Sequence, residues 1–257
     1  MKKFPGEERA MNFVIPMAGR GKRFSDVGYS KPKPLIKVRG KTLLQWSVDS
    51  LPLALCTRLI FVILMEHERE YNISEYIRHW YKDACDIHFV FVSEVTRGQA
   101  ETVLKATHMI NPDKPLLIYN IDTYFRSETL ENSLCRDDID GVLGAFIDDS
   151  TKFSYARIGD DGFVSEVVEK MPISKNALTG LYHFSRGYDF LKIADESIKN
   201  DDKTKGEFYV APMYNKLIAE GKKFVLDFCS EHYVLGTPDE LKLFEQSAFH
   251  SNKKDTL

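Results

Sequence analysis

The chain has 257 residues, of which 43% are apolar and 28% are charged, and this balance excludes a disordered or low-complexity protein. Lys and Arg total 35 against 38 for Asp and Glu, so the net charge of −3 gives no basic excess for binding nucleic acid or an anionic membrane. The longest apolar run, residues 59–65, has seven residues, whereas a membrane-spanning helix needs about 20.

Strand and helix patterns alternate through the first 150 residues or so. Short apolar runs rich in Val, Ile and Phe predict strands covered on both faces, and the segments between them have helical patterns. The predicted strands are residues 12–17, 59–65, 87–92, 116–121 and 142–147. The predicted helices are residues 42–51, 67–80 and 98–109. This alternation predicts a layered α/β fold with a mainly parallel sheet.

The second half of the chain has a different pattern. Three short strands, residues 154–158, 163–169 and 178–184, are separated by turn residues and predict a small antiparallel extension of the sheet. Further helices are predicted at residues 188–198, 209–219 and 238–248. Because no Gly/Ser-rich or Pro-rich linker divides the chain, we expect one domain over residues 11–249, with a polar leader at 1–10 and a polar tail at 250–257.

Two features bear on the cellular location. The first ten residues lack the apolar segment of a signal peptide. The four cysteines form no C-x-x-C pair and lie far apart, at Cys56, Cys85, Cys135 and Cys229. This usage favours reduced thiols in the cytoplasm over a disulfide framework or a zinc site.

A glycine-rich turn with concentrated positive charge follows the first predicted strand. Gly19 and Gly21 lie where that strand ends, and glycines there let backbone N–H groups approach a phosphate closely. Residues 20–41 contain eight basic residues and one acidic residue, a local net charge of +7 in a chain whose total is −3. The turn therefore indicates a polyphosphate site.

Within this stretch, Arg23 and Lys33 are the predicted phosphate ligands, because glycines precede the first and prolines flank the second. The spacing fits neither the dinucleotide-binding fingerprint, whose third small residue is replaced by Phe24, nor a P-loop. Three further basic residues carry no motif and are interpreted as a solvated surface: Lys37, Arg39 and Lys41.

The segment MAGRGKRF at 17–24, followed by KPKPL at 31–35, resembles the signature of the sugar-phosphate nucleotidyltransferases, the nucleotide-sugar pyrophosphorylases. Later segments match that family in order: RGQA at 97–100, NID at 120–122, VEK at 168–170, LTGLY at 178–182 and GTP at 236–238. The resemblance covers about residues 11–245. It implies a Rossmann-like three-layer fold and an enzyme that transfers a nucleoside monophosphate from an NTP to a sugar phosphate, releasing pyrophosphate.

The resemblance also implies roles for individual residues. Arg23 would hold the β- and γ-phosphates, Lys33 would meet charge at the α-phosphate, and Lys170 would position the acceptor phosphate. The implied nucleotide-binding residues are Ala18, Gly19, Gly21, Gly98 and Gln99. The implied acceptor-binding residues are Glu169, Lys170, Thr179 and Gly180.

A magnesium ion is the implied cofactor, and Asp122 its implied ligand at the end of a predicted strand. Without the resemblance, a turn-capping role for Asp122 would be the ordinary interpretation. The family carries a second metal-binding Asp two residues before the closing Gly-Thr, and this chain has Val234 there. We expect Asp227, or else Glu231, to supply the missing carboxylate; the alternatives are that Asp122 and the phosphates alone hold the metal, or that activity is impaired.

The aromatic segment before the helix at 209–219 carries less information. Phe208 and Tyr209 are interpreted as core residues, and a contact between Glu207 and the acceptor is left open.

Two alternatives to a sugar nucleotidyltransferase stay open. A non-catalytic regulator could bind nucleotide or sugar phosphate with the same fold, and Val234 is the feature that favours it. The same chemistry could also act on a non-sugar acceptor, such as a phosphorylated amino alcohol. The expected partners are an NTP and a sugar phosphate, with no nucleic acid and no membrane, and a homo-oligomer is left open.

Overall fold

The structure is a computed structural model and describes residues 10–249. The predicted tail and all but the last residue of the predicted leader lie outside this range. The strands are β1 (Met11–Met17), β2 (Lys37–Val38), β3 (Lys41–Thr42), β4 (Cys56–Leu64), β5 (Asp86–Val92), β6 (Leu116–Tyr119), β7 (Thr123–Arg126), β8 (Gly141–Ile147), β9 (Ser154–Ile158), β10 (Val164–Glu169), β11 (Asn176–Phe184), β12 (Phe224–Phe228) and β13 (Glu231–Val234). The helices are α1 (Lys22–Ser25), α2 (Leu43–Val48), α3 (Met65–Tyr71), α4 (Ile73–Tyr81), α5 (Gln99–Leu104), α6 (Leu130–Leu134), α7 (Gly187–Lys199), α8 (Tyr214–Ala219) and α9 (Pro238–Gln246).

A mixed sheet of nine strands forms the centre of the described chain. Strands β6, β1, β4 and β5 lie side by side and run parallel. Strand β11 is antiparallel to β6 and to β8, and β8 pairs in parallel with β12. The hairpin β9–β10 is antiparallel and adds to the sheet through β11. The predicted parallel sheet with a small antiparallel extension is confirmed.

The predicted strand at 142–147 has different neighbours from those expected. It forms β8, which does not join the parallel group directly, because β11 lies between it and β6. All positions of β11 except its first are buried, as expected for a strand with neighbours on both edges and layers on both faces.

Both faces of the sheet are covered, so the fold has three layers. On β4, alternate residues join two different apolar clusters. One cluster receives Ile60, Val62 and Leu64 and packs against α5, α7 and α8. The other receives Leu59, Phe61 and Ile63 and packs against α2, α4 and α6. The Rossmann-like three-layer architecture is therefore confirmed.

Several helices are shorter than their patterns predict. The helix expected at 67–80 is two helices, α3 and α4, because Asn72 takes a left-handed conformation with φ 50° between them. Asn adopts this conformation more readily than most residues, so the break costs little. The helix expected at 98–109 ends at Leu104 and continues as a turn of 3₁₀ helix over Thr107–Met109.

The small antiparallel sheet of β7 and β13 did not emerge from the sequence pattern. It packs with α2 and α9 around a third apolar cluster that includes Trp46, Tyr124 and Phe244. Arg39 belongs to this region and is not solvated as expected. Its guanidinium donates hydrogen bonds to the carbonyl oxygens of Phe244, Glu245 and Ser247, and so caps the C-terminal end of α9.

Among residues 10–249, no helix is long and apolar enough to cross a membrane.

Candidate functional site

A cavity of about 870 Å³ opens where β1 and β6 end. These are carboxyl ends of parallel strands, where open α/β sheets bind their ligands. Twelve of the predicted site residues line this cavity: Ala18, Gly19, Gly21, Arg23, Lys33, Gly98, Gln99, Asp122, Glu169, Lys170, Thr179 and Gly180. Asp227, the predicted second metal ligand, is not among the residues that line it.

The glycine-rich turn packs directly against the segment that carries Lys33. Gly21 has a φ of 65°, and a Cβ atom there would lie 2.9 Å from the Cβ of Lys33. A side chain at position 21 would therefore push the two segments apart. Phe24 anchors the turn in the core at 1% exposure, while Arg23 beside it is exposed to the cavity.

Lys33 and Asp122 form an ion pair in the cavity, with 2.7 Å between the lysine Nζ and the carboxylate Oδ2. The side chains are 16% and 33% exposed. Burial acts to raise the pKa of Asp122, but the charge and hydrogen bond of Lys33, with the charge of Arg23, outweigh it and hold that pKa below its usual value. Asp122 is therefore ionised and already paired with a cation.

The segment that follows Arg97 is fixed by a backbone contact. Gly98 has a φ of 148°, and a Cβ atom there would lie 2.4 Å from the backbone nitrogen of Phe208. The N–H of Phe208 donates to the carbonyl of Arg97, and the N–H of Ala100 donates to the carbonyl of Phe208. This contact holds the N-terminal end of α5 at the cavity.

Asn120 connects the two groups of predicted binding residues. The Gln99 amide donates a hydrogen bond to the Asn120 side chain. On the other side, a Cβ atom at Gly180 would lie 2.2 Å from the Asn120 amide nitrogen. Gln99, Asn120 and Gly180 are therefore in contact with one another along the cavity lining.

Two of the predicted acceptor residues, Glu169 and Lys170, lie together in the cavity wall. Glu169 is 5% exposed and accepts a hydrogen bond from the Ser154 hydroxyl. The Lys170 ammonium lies 3.7 Å from the Glu169 carboxylate and donates to the Tyr209 hydroxyl at 2.7 Å. Partial burial acts to lower the pKa of Lys170, but the Tyr209 hydrogen bond and nearby carboxylates raise it above its usual value. Lys170 is therefore a fixed positive charge.

Asp227 is 4% exposed, and its carboxylate already has hydrogen-bond partners away from the cavity. Hydrogen bonds reach it from the hydroxyls of Ser127, Thr129 and Ser133, the last two at 2.8 and 2.7 Å. Glu231 pairs with Arg126 at 3.4 Å and does not line the cavity either. The structure therefore places neither Asp227 nor Glu231 at the cavity, and Asp227 instead stabilises the start of α6.

Asp227→Asn should therefore lower stability and leave binding intact. The three hydroxyls lose a charged acceptor, and we expect the free energy of unfolding to fall by about 1–3 kcal/mol. Urea unfolding measures this loss, and titration with Mn²⁺ tests the binding. A weakened affinity for Mn²⁺ at unchanged stability would restore Asp227 as a metal ligand.

The family model described as nucleotidyl transferase matches residues 13–233. The chain belongs to this nucleotidyl transferase family. A nucleoside-diphosphate-sugar pyrophosphorylase from Vibrio cholerae RC9 has a similar structure, with 30% identity, a TM-score of 0.77, and coverage of 91% of this chain and 100% of that one. The resemblance seen in the sequence is confirmed.

Other relatives are more distant or longer. A glucose-1-phosphate thymidylyltransferase from Bacillus anthracis, described as putative, shares 17% identity at a TM-score of 0.74, covers 94% of this chain and 98% of that one, and supports the fold alone. Bifunctional protein GlmU of Burkholderia orbicola (strain MC0-3) is 28% identical over 96% of this chain and 54% of its own length. The chain thus spans about half the length of the curated relatives it matches.

Several cavity residues of this family member were not identified from the sequence. Asn120 lines the cavity and stands two positions before Asp122. Asp122 is singled out because it lies at the end of a predicted strand, and the same reason applies to Asn120. Tyr209 was interpreted as core but is only partly buried and lines the cavity, whereas Phe208 is core at 1% exposure. Glu207, for which the sequence leaves a contact with the acceptor open, also lines the cavity.

Val234 and Glu240 define the cavity edge beside Asp122. Val234 lines the cavity and is partly exposed, so it faces the site but brings no ligand. Gly236 follows, and a Cβ atom there would lie 3.4 Å from Glu240 Oε2 and 3.5 Å from Asp122 Oδ2. The two carboxylates therefore face the same small space across a glycine. In the sequence, Glu240 gives only the signal of a residue in the first turn of α9.

Proposed function

We propose that the protein transfers a nucleoside monophosphate from an NTP to a sugar phosphate, with release of pyrophosphate and formation of a nucleoside diphosphate sugar. The observation that carries the proposal is the arrangement of charges in one cavity. Arg23, Lys33 and Asp122 line it together with Lys170 and Glu169, and Lys33 pairs with Asp122 as Lys170 does with Glu169. Both substrates are polyanions, so catalysis needs charge neutralisation and positioning more than a nucleophilic side chain.

On the nucleotide side, Arg23 and Lys33 bind the triphosphate. A planar guanidinium suits two phosphate oxygens at once, so Arg23 holds the β- and γ-phosphates and stabilises the departing pyrophosphate. Lys33 donates to the α-phosphate, where negative charge increases as the acceptor oxygen attacks. Gln99 and the backbone at Gly98 bind the base, and the hydrogen bond to Asn120 holds the Gln99 side chain in position.

On the acceptor side, Lys170 binds the phosphate whose oxygen attacks. Its contacts with Tyr209 and Glu169 fix the ammonium group, so less conformational freedom is lost when the acceptor binds. Glu169 and the Thr179–Gly180 segment bind the acceptor hydroxyls. An oxygen held at Lys170 then approaches the α-phosphorus opposite the leaving pyrophosphate, as an in-line displacement requires.

The residues at Gly236 fit a divalent cation such as Mg²⁺. Asp122 and Glu240 supply hard carboxylate oxygens to one space that Gly236 leaves free of side-chain atoms. Among the described residues, no group of three or more His, Cys, Asp or Glu side chains could hold a metal. The ion would therefore use one or two carboxylates and complete its shell with phosphates and water, as Mg²⁺ commonly does. When bound, it neutralises charge on the phosphate oxygens.

Before substrates bind, the ammonium group of Lys33 pairs with the carboxylate that the cation would use. This ammonium pairs with Asp122 at 2.7 Å, so a metal must compete with Lys33 for the carboxylate. The arriving triphosphate offers Lys33 a more negative partner and releases Asp122. We therefore expect nucleotide and cation to bind together, each strengthening the binding of the other.

A regulator without turnover is less well supported. It would need cations for the nucleotide, but it would not need Lys170 held at fixed geometry in the same cavity. The free thiols and the nucleotide substrate support a location in the cytoplasm.

A matrix of substrates tests the function. Each of the common NTPs is paired with hexose 1-phosphates and with 2-aminoethyl phosphate, and pyrophosphate release is measured with Mg²⁺ present. We expect turnover of about 1–10³ s⁻¹ for one NTP with a sugar phosphate. Turnover with 2-aminoethyl phosphate alone would establish the non-sugar acceptor, and nucleotide binding without any pyrophosphate release would establish the regulator.

A further inference from the structure

Two thiols lie side by side at the end of the sheet opposite the cavity. Cys56 begins β4, and Cys85 directly precedes β5, its parallel neighbour. Their sulfur atoms are 3.2 Å apart. A disulfide bond needs about 2.05 Å, so an approach of about 1.2 Å would join them.

The two thiols differ in access and in acidity. Cys56 is 7% exposed, and burial together with the hydrogen bond shared with Cys85 raises the pKa of its thiol well above the usual range. Cys85 is only partly buried, and the hydrogen bond shared with Cys56 lowers its pKa in spite of burial and of nearby Asp86. Cys85 is therefore the thiol that reagents reach and the one that more readily becomes a thiolate, the nucleophilic form.

We propose that Cys56 and Cys85 are a redox-responsive pair that low-molecular-weight disulfides convert into an intramolecular disulfide. The Cys85 thiolate attacks one sulfur of the reagent and expels the other as a thiolate, which leaves a mixed disulfide on Cys85. Cys56 then loses its proton, and its sulfur attacks the Cys85 sulfur and expels the second thiolate. In total, two protein thiols are oxidised and one reagent disulfide is reduced to two thiols.

The bond would link residues 29 positions apart and enclose α3 and α4. Such a link stabilises the protein mainly by restricting the unfolded chain. Because the pair lies away from the cavity, oxidation should raise the melting temperature by several degrees and leave nucleotide binding unchanged. The protein would become more stable under oxidising conditions without a change at the site.

Oxidised glutathione is the probe, and intact mass and peptide mapping of the full chain are the readouts. We expect the wild type to lose two hydrogens and to yield one cross-linked peptide containing Cys56 and Cys85. Cys135→Ser and Cys229→Ser, the matched controls, should give the same cross-link. Cys56→Ser should stop at a glutathione adduct on Cys85, because the second thiol is missing, and Cys85→Ser should leave Cys56 unmodified.

Two results would overturn the proposal. One is a wild type in which Cys56 and Cys85 stay free, or carry separate adducts, under conditions that modify Cys135. The other is equal modification of Cys56 in Cys85→Ser and of Cys85 in Cys56→Ser, which would show two independent thiols. Cys85 is only partly buried, so Cys85→Ser keeps the test available even where Cys56→Ser folds poorly.

Discussion

Lys33→Met should lower turnover by about 10²–10³ and, at the same time, tighten the binding of a divalent cation to the free protein. The loss of turnover follows because one charge-assisted contact to the transition state is removed. The tighter binding follows because Asp122 loses the ammonium that lies 2.7 Å from its carboxylate. Methionine has nearly the length of lysine without its charge, so the loop keeps its packing against Gly21.

Paramagnetic resonance of Mn²⁺ measures the second effect without turnover. In the absence of nucleotide we expect the Kd for Mn²⁺ to fall about tenfold in Lys33→Met, within the range seen when a group bound to a metal ligand is changed. Adding NTP should tighten Mn²⁺ binding in the wild type and do so much less in the variant. Lys37→Met is the matched control, because Lys37 is an exposed lysine that does not line the cavity. Equal Mn²⁺ affinities in Lys33→Met and wild type would refute the exchange of partners at Asp122.

Many of the residues that line the cavity could be predicted because they lie in short segments at strand ends. Gly19, Gly21 and Asp122 each follow a buried apolar strand, and the topology of parallel strands brings such ends together. The family resemblance then supplied Gln99 and Lys170, which have no distinctive local pattern. Both line the cavity.

The carboxylate that lies near Asp122 in the cavity, Glu240, could not be predicted, because nearness in the chain is a poor guide to nearness in space. Asp227 and Glu231 lie close to Val234 in sequence, but Asp227 sits on β12 with three hydroxyls and Glu231 faces Arg126. Glu240 is six residues beyond Val234, and the turn into α9 brings it back. That path depends on Gly236, whose lack of a side chain leaves the space that both carboxylates face.

The same limit applies to the secondary structure. Strands β7 and β13 have four residues each, too few for a periodic pattern, and they exist because they pair with each other above the third apolar cluster. The break between α3 and α4 depends on one left-handed residue, Asn72, within a segment whose pattern is otherwise helical.

Asp122→Asn should abolish cation binding and lower turnover by at least about 10³, because it removes the ionised carboxylate and keeps the shape of the side chain. Its fold should persist, since the side chain is one-third exposed to the cavity. Circular dichroism and thermal unfolding check the fold, and Mn²⁺ resonance checks the cation. Mn²⁺ binding at wild-type affinity in Asp122→Asn would place the metal elsewhere.

Glu240 has two possible roles, binding the cation and accepting a hydrogen bond from the N–H of Gly236 at 3.1 Å. A substitution that keeps the hydrogen bond separates the two. Glu240→Gln keeps an oxygen for that bond and removes the charge, and with it the ion pair to the exposed Lys152 at 3.5 Å, a surface pair that contributes little to stability. We expect it to need about tenfold more Mg²⁺ for half-maximal rate, at unchanged melting temperature. Glu245→Gln is the control from the same helix, since Glu245 is exposed and does not line the cavity. A role limited to capping α9 would leave the Mg²⁺ requirement of Glu240→Gln at the wild-type value.

Val234→Asp completes this test by restoring the carboxylate that the family carries. Because Val234 lines the cavity and is partly exposed, the new charge meets solvent and the cation and is not trapped in the core. We therefore expect tighter Mn²⁺ binding with little loss of stability, and rescue of Glu240→Gln in the double variant. Rescue requires that positions 234 and 240 serve the same ion, because a carboxylate added at an unrelated position would leave the Glu240→Gln defect as it was. A double variant no better than Glu240→Gln would mean that a carboxylate at position 234 does not reach the ion that Glu240 serves.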